Sequence, residues 1–361
     1  MKSIGILVFM VFMFSITACK KDHCDDGKNN KDEAGLDCGG KDCKPCESCF
    51  DGITNQGELG VDCGGPCAIC QLEWKEVRTG TTKLTAVNFY KNVGVAVGEN
   101  GVILKSLDSG KTWSSLTSGT TSNLKSIHVL DENNFFVCGV GDLVISSTDG
   151  TSFSSIKTAK TSDWRDIHFT DQNTGTVCGS KMRILYTSDA GKTWVKKIEP
   201  KVTSLESFVS MSFLTNLEAY IIGGSDLLRT LDGGKNWVSI DGFSTLKAEG
   251  FKTFENILYK TTSDVYCITD SAMFISINST KWADKLLNVG GGKVTFLKKM
   301  GLYSGQNTSK SEGKVLISFD GGRKWEKQVI NASIQYTAGE ILSKEVMVVV
   351  GDKGTIIRRD K

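Results

Sequence analysis

The feature that most constrains the fold is a short motif, Ser/Thr-x-Asp-x-Gly-x-x-Trp, that recurs at nearly constant spacing. Full copies lie at Ser106–Trp113, Thr187–Trp194, Thr230–Trp237 and Ser318–Trp325, and shortened copies lie at Ser147–Phe153 and Ser276–Trp282. The central residues are Asp108, Asp149, Asp189, Asp232, Asn278 and Asp320, which are 41, 40, 43, 46 and 42 residues apart. Repeats of about 40 to 45 residues are typical of four-stranded propeller blades.

A second pattern indicates seven blades rather than six. Apolar segments of strand type, most of them ending at glycine, occur at Val95–Gly98, Phe136–Gly139, Thr176–Gly179, Tyr220–Gly223, Val265–Ile268, Leu302–Gly305 and Val348–Gly351. The last repeat stops where its tryptophan should follow, whereas Trp74–Val77 matches the segment that follows each motif. We therefore predict an all-β, seven-bladed propeller over residues 74–361, closed by an N-terminal strand so that the seam has no unpaired edge.

The repeats from Trp74 to the end resemble those of Asp-box (BNR) propellers, and more closely those of the photosystem II stability/assembly factor-like family. The resemblance implies the propeller fold and, by family, chaperone-like contact with a membrane-protein precursor. In such a box the Asp or Asn side chain accepts backbone N–H groups across a tight turn, glycine takes positive φ, and tryptophan fills the gap between sheets. We therefore interpret the six box residues as structural rather than catalytic.

The N-terminus is predicted to carry an export signal. Lys2 precedes an apolar run of eleven residues from Ile4 to Phe14, which is too short to span a bilayer, since a helix needs about 20. Ile16-Thr17-Ala18-Cys19 resembles the bacterial lipobox, which implies a signal peptide over residues 1–18 and lipidation of Cys19. The absence of an acidic residue directly after Cys19 implies, by the same resemblance, the outer membrane, on either face. An ordinary secretory signal is the alternative.

Residues 19–73 form a predicted lipid-anchored module with a duplicated cysteine pattern, Cys24 to Cys46 and Cys49 to Cys70, offset by 25 residues. Each copy is too short to bury a core, and exported chains oxidise their thiols, so we expect a small disulfide-rich spacer. The connectivity is open, and zinc binding through the terminal C-x2-C pairs is the alternative. The candidates are Cys24, Cys38, Cys43, Cys46, Cys49, Cys63, Cys67 and Cys70.

The same module repeats a set of oxygen-bearing side chains. They are Asp26, Asn30, Glu33 and Asp37 in the first copy and Asp51, Asn55, Glu58 and Asp62 in the second. Such residues are hard ligands suited to calcium, although the spacing is not that of an EF-hand, and the same residue types also form turns. Calcium is the one cofactor that the sequence suggests, as an alternative to a turn-forming role.

Alignment of the predicted innermost strands places polar residues at one level of an axial tunnel. The fifth positions of four consecutive blades are Glu340, Asn88, His128 and His168. We predict that they line a water-filled tunnel and bond to one another and to water. A zinc ion held by the two histidines and the carboxylate is the alternative, and we predict no metal there.

Charged residues near strand starts and loops predict a partner-binding rim. The candidates are Arg78, Lys83, Lys125, Arg165, Asp166 and Arg183. Loops held on a rigid scaffold carry binding more often than core strands do. Cys138, Cys178 and Cys267 share one repeat position and are predicted to be buried small hydrophobes, too far apart to form disulfides.

The composition excludes strong electrostatic recognition of nucleic acid, since 43 Lys and Arg face 41 Asp and Glu. The preferred interpretation is a non-catalytic envelope lipoprotein whose propeller binds a protein or glycan, as an assembly or stability factor. A glycan-binding adhesin is one alternative. A glycoside hydrolase is another, because Asp boxes also occur in sialidases, but no arginine triad or carboxylate pair stands out in the sequence.

Overall fold

The computed structural model describes residues 73–158, 162–196, 207–224, 226–240, 254–261, 264–269, 271–276 and 282–360. Residue contacts divide the chain after Cys70, and all described residues belong to the second unit. The signal peptide and the cysteine-rich module lie outside the described residues, so their boundaries stay a prediction. No described helix combines the length and the apolar character that crossing a membrane requires.

The described residues form seven antiparallel sheets of four strands. The chain enters through β1 (Trp74–Arg78). Blades 1 to 3 are β2 (Leu84–Tyr90), β3 (Val93–Gly98), β4 (Ile103–Ser106) and β5 (Ser114–Leu116); β6 (Leu124–Val129), β7 (Phe135–Gly139), β8 (Leu143–Ser147) and β9 (Ser154–Ile156); and β10 (Trp164–Phe169), β11 (Gly175–Gly179), β12 (Arg183–Thr187) and β13 (Val195–Lys196).

The remaining blades repeat this arrangement. Blades 4 to 7 are β14 (Phe208–Phe213), β15 (Ala219–Gly223), β16 (Asp226–Thr230) and β17 (Val238–Ile240); β18 (Phe254–Tyr259), β19 (Val265–Thr269), β20 (Met273–Ser276) and β21 (Trp282–Leu287); β22 (Gly292–Leu297), β23 (Met300–Gln306), β24 (Gly313–Ser318) and β25 (Glu326–Lys327); and β26 (Tyr336–Ile341), β27 (Met347–Gly351) and β28 (Ile356–Arg359), which β1 completes.

The sheets close into a ring. The first strand of each blade contacts the first strand of the next, in the order β2, β6, β10, β14, β18, β22, β26 and back to β2. At the seam β1 pairs antiparallel with β28, with Trp74 opposite Arg359 and Glu76 opposite Ile357. The predicted seven blades and their closure by the N-terminal strand are confirmed. Six of the seven second strands, such as Val93–Gly98 and Met347–Gly351, are buried throughout.

Apolar clusters between neighbouring blades form the core. The cluster between blades 1 and 2 joins Val95 and Val97 to Ile127 and Phe135. The cluster between blades 7 and 1 joins Ala96 and Leu104 to Val348 and Val350. Burial of apolar surface stabilises by about 25 cal/mol per Å². These inter-blade contacts therefore stabilise the ring, and the stability of each blade depends on its neighbours.

Most innermost strands share one irregularity near their start. In six of the seven pairings with the second strand, the register shifts between the first and third residue, as between Trp164 and Asp166 in blade 3. A bulge of this kind leaves one residue out of the ladder and re-aims the side chains around it. It separates second-position residues, such as Arg165, from third-position residues, such as Asp166.

Candidate functional site

The box residues build the turn between the third and fourth strands. In blade 1 the amide of Thr112 donates to Asp108 Oδ1 over 2.9 Å, and Gly110 N donates to Ser106 Oγ over 2.9 Å. Gly110 has a φ of +84°, a conformation that favours glycine. The Trp113 indole donates to Gly110 O over 3.0 Å, while its ring packs against the cluster between blades 7 and 1. Equivalent bonds form at Asp149, Asp189, Asp232 and Asp320.

The boxes also fasten neighbouring blades. Lys105 in blade 1 donates to Gly150 O in the box of blade 2 over 2.9 Å. Arg358 in blade 7 donates to Ser109 O in the box of blade 1 over 3.0 Å. The box side chains and turns are therefore occupied by structural bonds. Asn278 lies outside the described residues, and its predicted box role stays a prediction.

A cavity of about 250 Å³ lies on the axis of the ring. All seven innermost strands line it, each with three successive residues near its start. In the repeat alignment, which begins blade 6 at Gly291, the third positions are Ala86, Ser126, Asp166, Ser210, Asn256, Lys293 and Ala338, and the fifth positions are Asn88, His128, His168, Ser212, Leu258, Thr295 and Glu340. The four residues predicted to share the tunnel thus lie around one cavity.

On one side of this cavity the polar side chains are bonded from blade to blade. Asp166 accepts from Ser126 Oγ at 2.7 Å and from the amides of Ile167 at 3.0 Å and Met211 at 2.8 Å. Ser210 Oγ accepts from the amide of Ile257, and Ser212 Oγ accepts from the amide of Tyr259 over 2.9 Å. We call Ser126, Asp166, Ser210 and Ser212, in blades 2 to 4, the closed arc. Asp166, Ser210 and Ser212 accept backbone N–H groups of innermost strands, which as edge strands have no ladder partner on the axial side, and Ser126 donates to Asp166.

The prediction that Asp166 belongs to the rim was wrong. The bulge between Trp164 and Asp166 leaves Arg165 exposed and places Asp166 opposite Cys178, inside the wall of the cavity. There its carboxylate joins blades 2, 3 and 4 through the three bonds described above. Its chemistry is that of a structural acceptor.

Asn88 and Glu340 join blades 1, 2 and 7 at the deeper level. Asn88 Nδ2 donates to Glu340 Oε1 over 3.2 Å, and its Oδ1 accepts from the amide of Val129 over 2.8 Å. Burial raises the pKa of Glu340 to about 7, against the smaller opposing influences of the Asn88 hydrogen bond and the charge of Lys293. Glu340 therefore exchanges a proton near neutral pH.

The two histidines form a pair beside this contact. The His128 and His168 rings lie with centroids 4.3 Å apart, and His168 stacks on Phe213 at 4.1 Å. Burial lowers the pKa of His128 to about 4. Burial and the neighbouring His128 hold the pKa of His168 well below its usual value. Both rings are neutral at physiological pH.

Sequence reasoning missed two residues of the cavity, Asn256 and Lys293. They occupy the third position of blades 5 and 6, the position that Asp166 holds in blade 3, so the repeat alignment contained the signal. Asn256 Nδ2 donates to Ser210 Oγ over 3.0 Å, but its buried Oδ1 has no hydrogen-bond partner among the described residues. Lys293 is half-buried in the cavity wall. We call Asn256, Lys293 and Glu340, in blades 5 to 7, the open arc.

The five remaining rim candidates share one end of the propeller, at which the innermost strands begin; we call it the start face. Arg78 Nη1 donates to Gly354 O over 3.1 Å, and Lys83 pairs with Asp352 at 3.1 Å. These two side chains fasten the turn Asp352–Gly354 at the seam. Arg183 begins β12 and is half-buried there.

Lys125 and Arg165 differ from the other candidates on the start face. They hold the second position of the innermost strands in adjacent blades 2 and 3, where Lys125 is half-buried and Arg165 is exposed. Within the part of the chain that the structure describes, neither forms an ion pair. Their charges have no counter-ion among the described residues.

The metal and cysteine predictions have separate outcomes. Across the described ranges, no three His, Cys, Asp or Glu side chains are arranged to hold a metal ion, and the Glu340 carboxylate bonds Asn88 instead. Cys138, Cys178 and Cys267 are buried free thiols, as predicted. Burial raises the pKa of each thiol well above its usual value. The lipidation, disulfide and calcium candidates of residues 19–73 lie outside the described residues.

Together, the ring closure and the boxes define the class of this protein: a seven-bladed β-propeller of Asp-box repeats. The family model for the photosynthesis system II assembly factor YCF48 matches residues 145–250. The resemblance to assembly-factor propellers expected from the sequence is confirmed by this match and by the structures that share the fold. No curated protein sequence matches the chain.

Three solved structures illustrate the similarity. YCF48 bound to D1 peptide has 19% identity and a TM-score of 0.65, covering 80% of this chain and 97% of its own. YCF48 from Cyanidioschyzon merolae has 17% identity and a TM-score of 0.65, covering 80% and 98%. The GH74 enzyme of Niastella koreensis has 13% identity and a TM-score of 0.61, covering 79% of this chain and 53% of its own. At identities this low, the structural similarity establishes the fold alone.

Proposed function

We propose that this protein is a non-catalytic binding propeller that holds an acidic protein segment against its start face, as an assembly or stability factor. The observation that carries the proposal is the pair Lys125 and Arg165, on adjacent blades at the start face. Both are without an ion pair among the described residues. Loops and strand starts on a rigid ring present such charges with little loss of side-chain freedom.

The class of partner has support from comparison. One propeller of the same fold was solved with a peptide bound, as its description, YCF48 bound to D1 peptide, states. The chain therefore shares its architecture with a propeller that binds a protein segment. The partner of this chain is proposed by class alone, as a protein segment with acidic side chains.

The binding face can be tested by charge reversal. In the full-length chain, Lys125→Glu combined with Arg165→Glu should reduce crosslinking of envelope proteins to the propeller at least tenfold. The matched control is Lys111→Glu with Lys192→Glu, two exposed lysines in box turns at the opposite end. Equal recovery with both double variants would contradict the proposal.

The alternatives predict different results. A glycan array probed with the same protein would show selective binding if the chain were an adhesin. Release of reducing sugar from xyloglucan, or of sialic acid from a sialoside, would establish the hydrolase instead. Asp166 does not favour catalysis, because its two oxygens already accept three hydrogen bonds.

We also propose the envelope location from the N-terminal sequence. Processing at Cys19 with lipidation would anchor the propeller to the outer membrane through the cysteine-rich module. Cells fed an alkyne-labelled fatty acid should label the wild type and not Cys19→Ser. Label on both forms, or on neither, would contradict the anchor without affecting the start-face test, and protease treatment of intact cells would distinguish the two membrane faces.

A further inference from the structure

The two histidines of the axial cavity, His128 and His168, have ring nitrogens without protein partners. Both side chains are half-buried and line the cavity. Neither ring forms a hydrogen bond or an ion pair with any described residue, and neither has a nitrogen among the enclosed side-chain atoms that lack a partner. The nitrogens of both rings therefore have accessible surface, and a small species in the cavity can reach them.

The two rings are spaced as ligands of one ion. Their centroids lie 4.3 Å apart, with the planes inclined by 62°. Imidazole nitrogens bind a divalent ion at about 2.0 to 2.1 Å, so two imidazoles at about 90° around one ion have centroids roughly 4.5 Å apart. His168 stacks on Phe213 with planes 10° apart, which fixes its plane. A half-turn about the Cβ–Cγ bond keeps that plane and exchanges ring nitrogens with ring carbons, so a shared ion requires ring rotation and no movement of the strands.

The charge and the size of the cavity admit a hydrated cation. Asp166 and Glu340 carry carboxyl groups, and Lys293 carries the one ammonium group among the lining residues. Asp166 lies two residues before His168 on β10, so both side chains point to the same side of the strand, roughly 7 Å apart along it. The volume of about 250 Å³ is room for roughly eight water molecules, which is enough for an ion and the waters that complete its coordination.

We propose that His128 and His168 form a copper(II) site in the axial cavity, with one nitrogen from each ring and water in the remaining coordination positions. Across the described ranges no third His, Cys, Asp or Glu side chain is arranged to complete the site. The Glu340 carboxyl bonds Asn88 instead, so the site differs from the three-ligand zinc site considered from the sequence. Two nitrogen ligands in adjacent positions suit the tetragonal geometry of copper(II), which also binds a given site more tightly than the other divalent first-row metals. The ion joins blades 2 and 3 at the axis.

Copper titration of the full-length protein at pH 7 tests the site. Accessible thiols are first blocked with N-ethylmaleimide, because cysteine also binds copper. At one equivalent of copper(II), pulsed EPR should show the remote nitrogens of two imidazoles. Nickel(II) and zinc(II) should bind more weakly than copper(II), and magnesium should not bind. Fewer than two imidazoles in the wild-type spectrum, or zinc(II) bound more tightly than copper(II), would overturn the proposal.

Variants assign the ion to the histidine pair. His128→Gln and His168→Gln should each weaken copper binding at least tenfold and leave at most one imidazole in the spectrum. His23→Gln, at the remaining histidine, is the matched control and should keep both the affinity and the two-imidazole spectrum. Thermal melting without metal checks that the variants fold, and the wild-type spectrum tests the site without any variant. Unchanged affinity in both His128→Gln and His168→Gln would assign the copper to an adventitious site and refute the proposal. The start-face crosslinking is independent of this result.

Discussion

The two sides of the axial cavity use the same repeat positions in opposite ways. In the closed arc, each polar side chain at the third or fifth position is bonded to a hydroxyl, a carboxylate or a backbone amide of its own or a neighbouring blade. In the open arc, the corresponding positions hold an amide oxygen without a described donor, a lysine without a described anion and a carboxyl group with one described bond. The same repeat position is therefore fully hydrogen-bonded where the neighbouring blade supplies a partner and incompletely bonded among the described residues where it does not.

The difference follows from residue type. A third-position Asp or Ser is short and can accept an N–H from the adjacent innermost strand, as Asp166 does from Met211. Lysine carries donors alone, so Lys293 cannot accept from blade 7 in the same way. The side chains of the closed arc therefore form hydrogen bonds between blades. Those of the open arc have fewer hydrogen-bond partners among the described residues.

The largest expected effect is a loss of folding stability at acid pH, caused by the buried pair His128 and His168. The pKa of His128 in the folded protein is about 4, below its unfolded value of about 6.5. Folding stability is then complete above pH 6.5 and falls as the pH drops, because the unfolded chain binds protons that the folded chain rejects. The loss by pH 4 should be about 3 kcal/mol for His128 alone, and His168 adds to it.

Urea unfolding of the full-length protein at pH 7, 6, 5 and 4 measures this loss. His128→Gln should flatten the dependence between pH 6.5 and 4, whereas His23→Gln, at the remaining histidine of the chain, should reproduce the wild-type curve. Parallel curves for wild type and His128→Gln would show that protonation of the His128 ring does not lower the free energy of unfolding, and would contradict the prediction.

The closed arc itself should depend on Asp166. Asp166→Ala removes the acceptor for the amides of Ile167 and Met211 and leaves these donors buried. Hydrogen bonds to a charged acceptor contribute about 1.5 to 3 kcal/mol each, so we expect a loss of about 3 kcal/mol in the free energy of unfolding. Asp166→Asn keeps one acceptor oxygen and should lose less. A loss below about 1 kcal/mol for Asp166→Ala would contradict the structural role.

The open arc should respond to pH with the opposite sign. The pKa of Glu340 is about 7 in the folded protein, above its unfolded value of about 4.3. The folded chain holds the proton more tightly, so this contribution to stability is present at low pH and is lost as the pH rises toward 7. Between pH 5 and 7 the loss should be about 2 kcal/mol.

The difference between wild type and Glu340→Gln isolates this effect. The two stabilities should diverge as the pH rises from 5 to 7, with the wild type falling relative to the variant. Exposed Glu312→Gln is the control and should track the wild type. If the wild type gained stability over the variant in this range, the Glu340 carboxylate would be stabilised rather than disfavoured by its surroundings.

The sequence predicted the fold far better than the site. Box turns are local, because Asp, Gly and Trp lie within six residues, and their spacing determines blade length. The match between Trp74–Val77 and the segment that follows each box also predicted ring closure. The cavity residues depend on how two strands meet across a blade interface, and the Trp164/Asp166 bulge separated Arg165 from Asp166 in a way that their adjacency in sequence did not reveal. Asn256 and Lys293 share the third position with Asp166. The alternation of polar and apolar residues predicted that this position faces the tunnel, but it could not predict which polar groups would be hydrogen-bonded.

The smallest expected effect sharpens the comparison at Lys293. Replacing this half-buried lysine with methionine removes a charge that has no described partner and keeps a side chain of similar length. Taking a charge out of water without a partner costs free energy, so Lys293→Met, which removes a half-buried charge, should raise the free energy of unfolding by about 1 kcal/mol. Exposed Lys111→Met is the control and should change it by less than about 0.5 kcal/mol. A Lys293→Met loss comparable to that of Asp166→Ala would show that the two arcs are equally structural, and the distinction between them would fail.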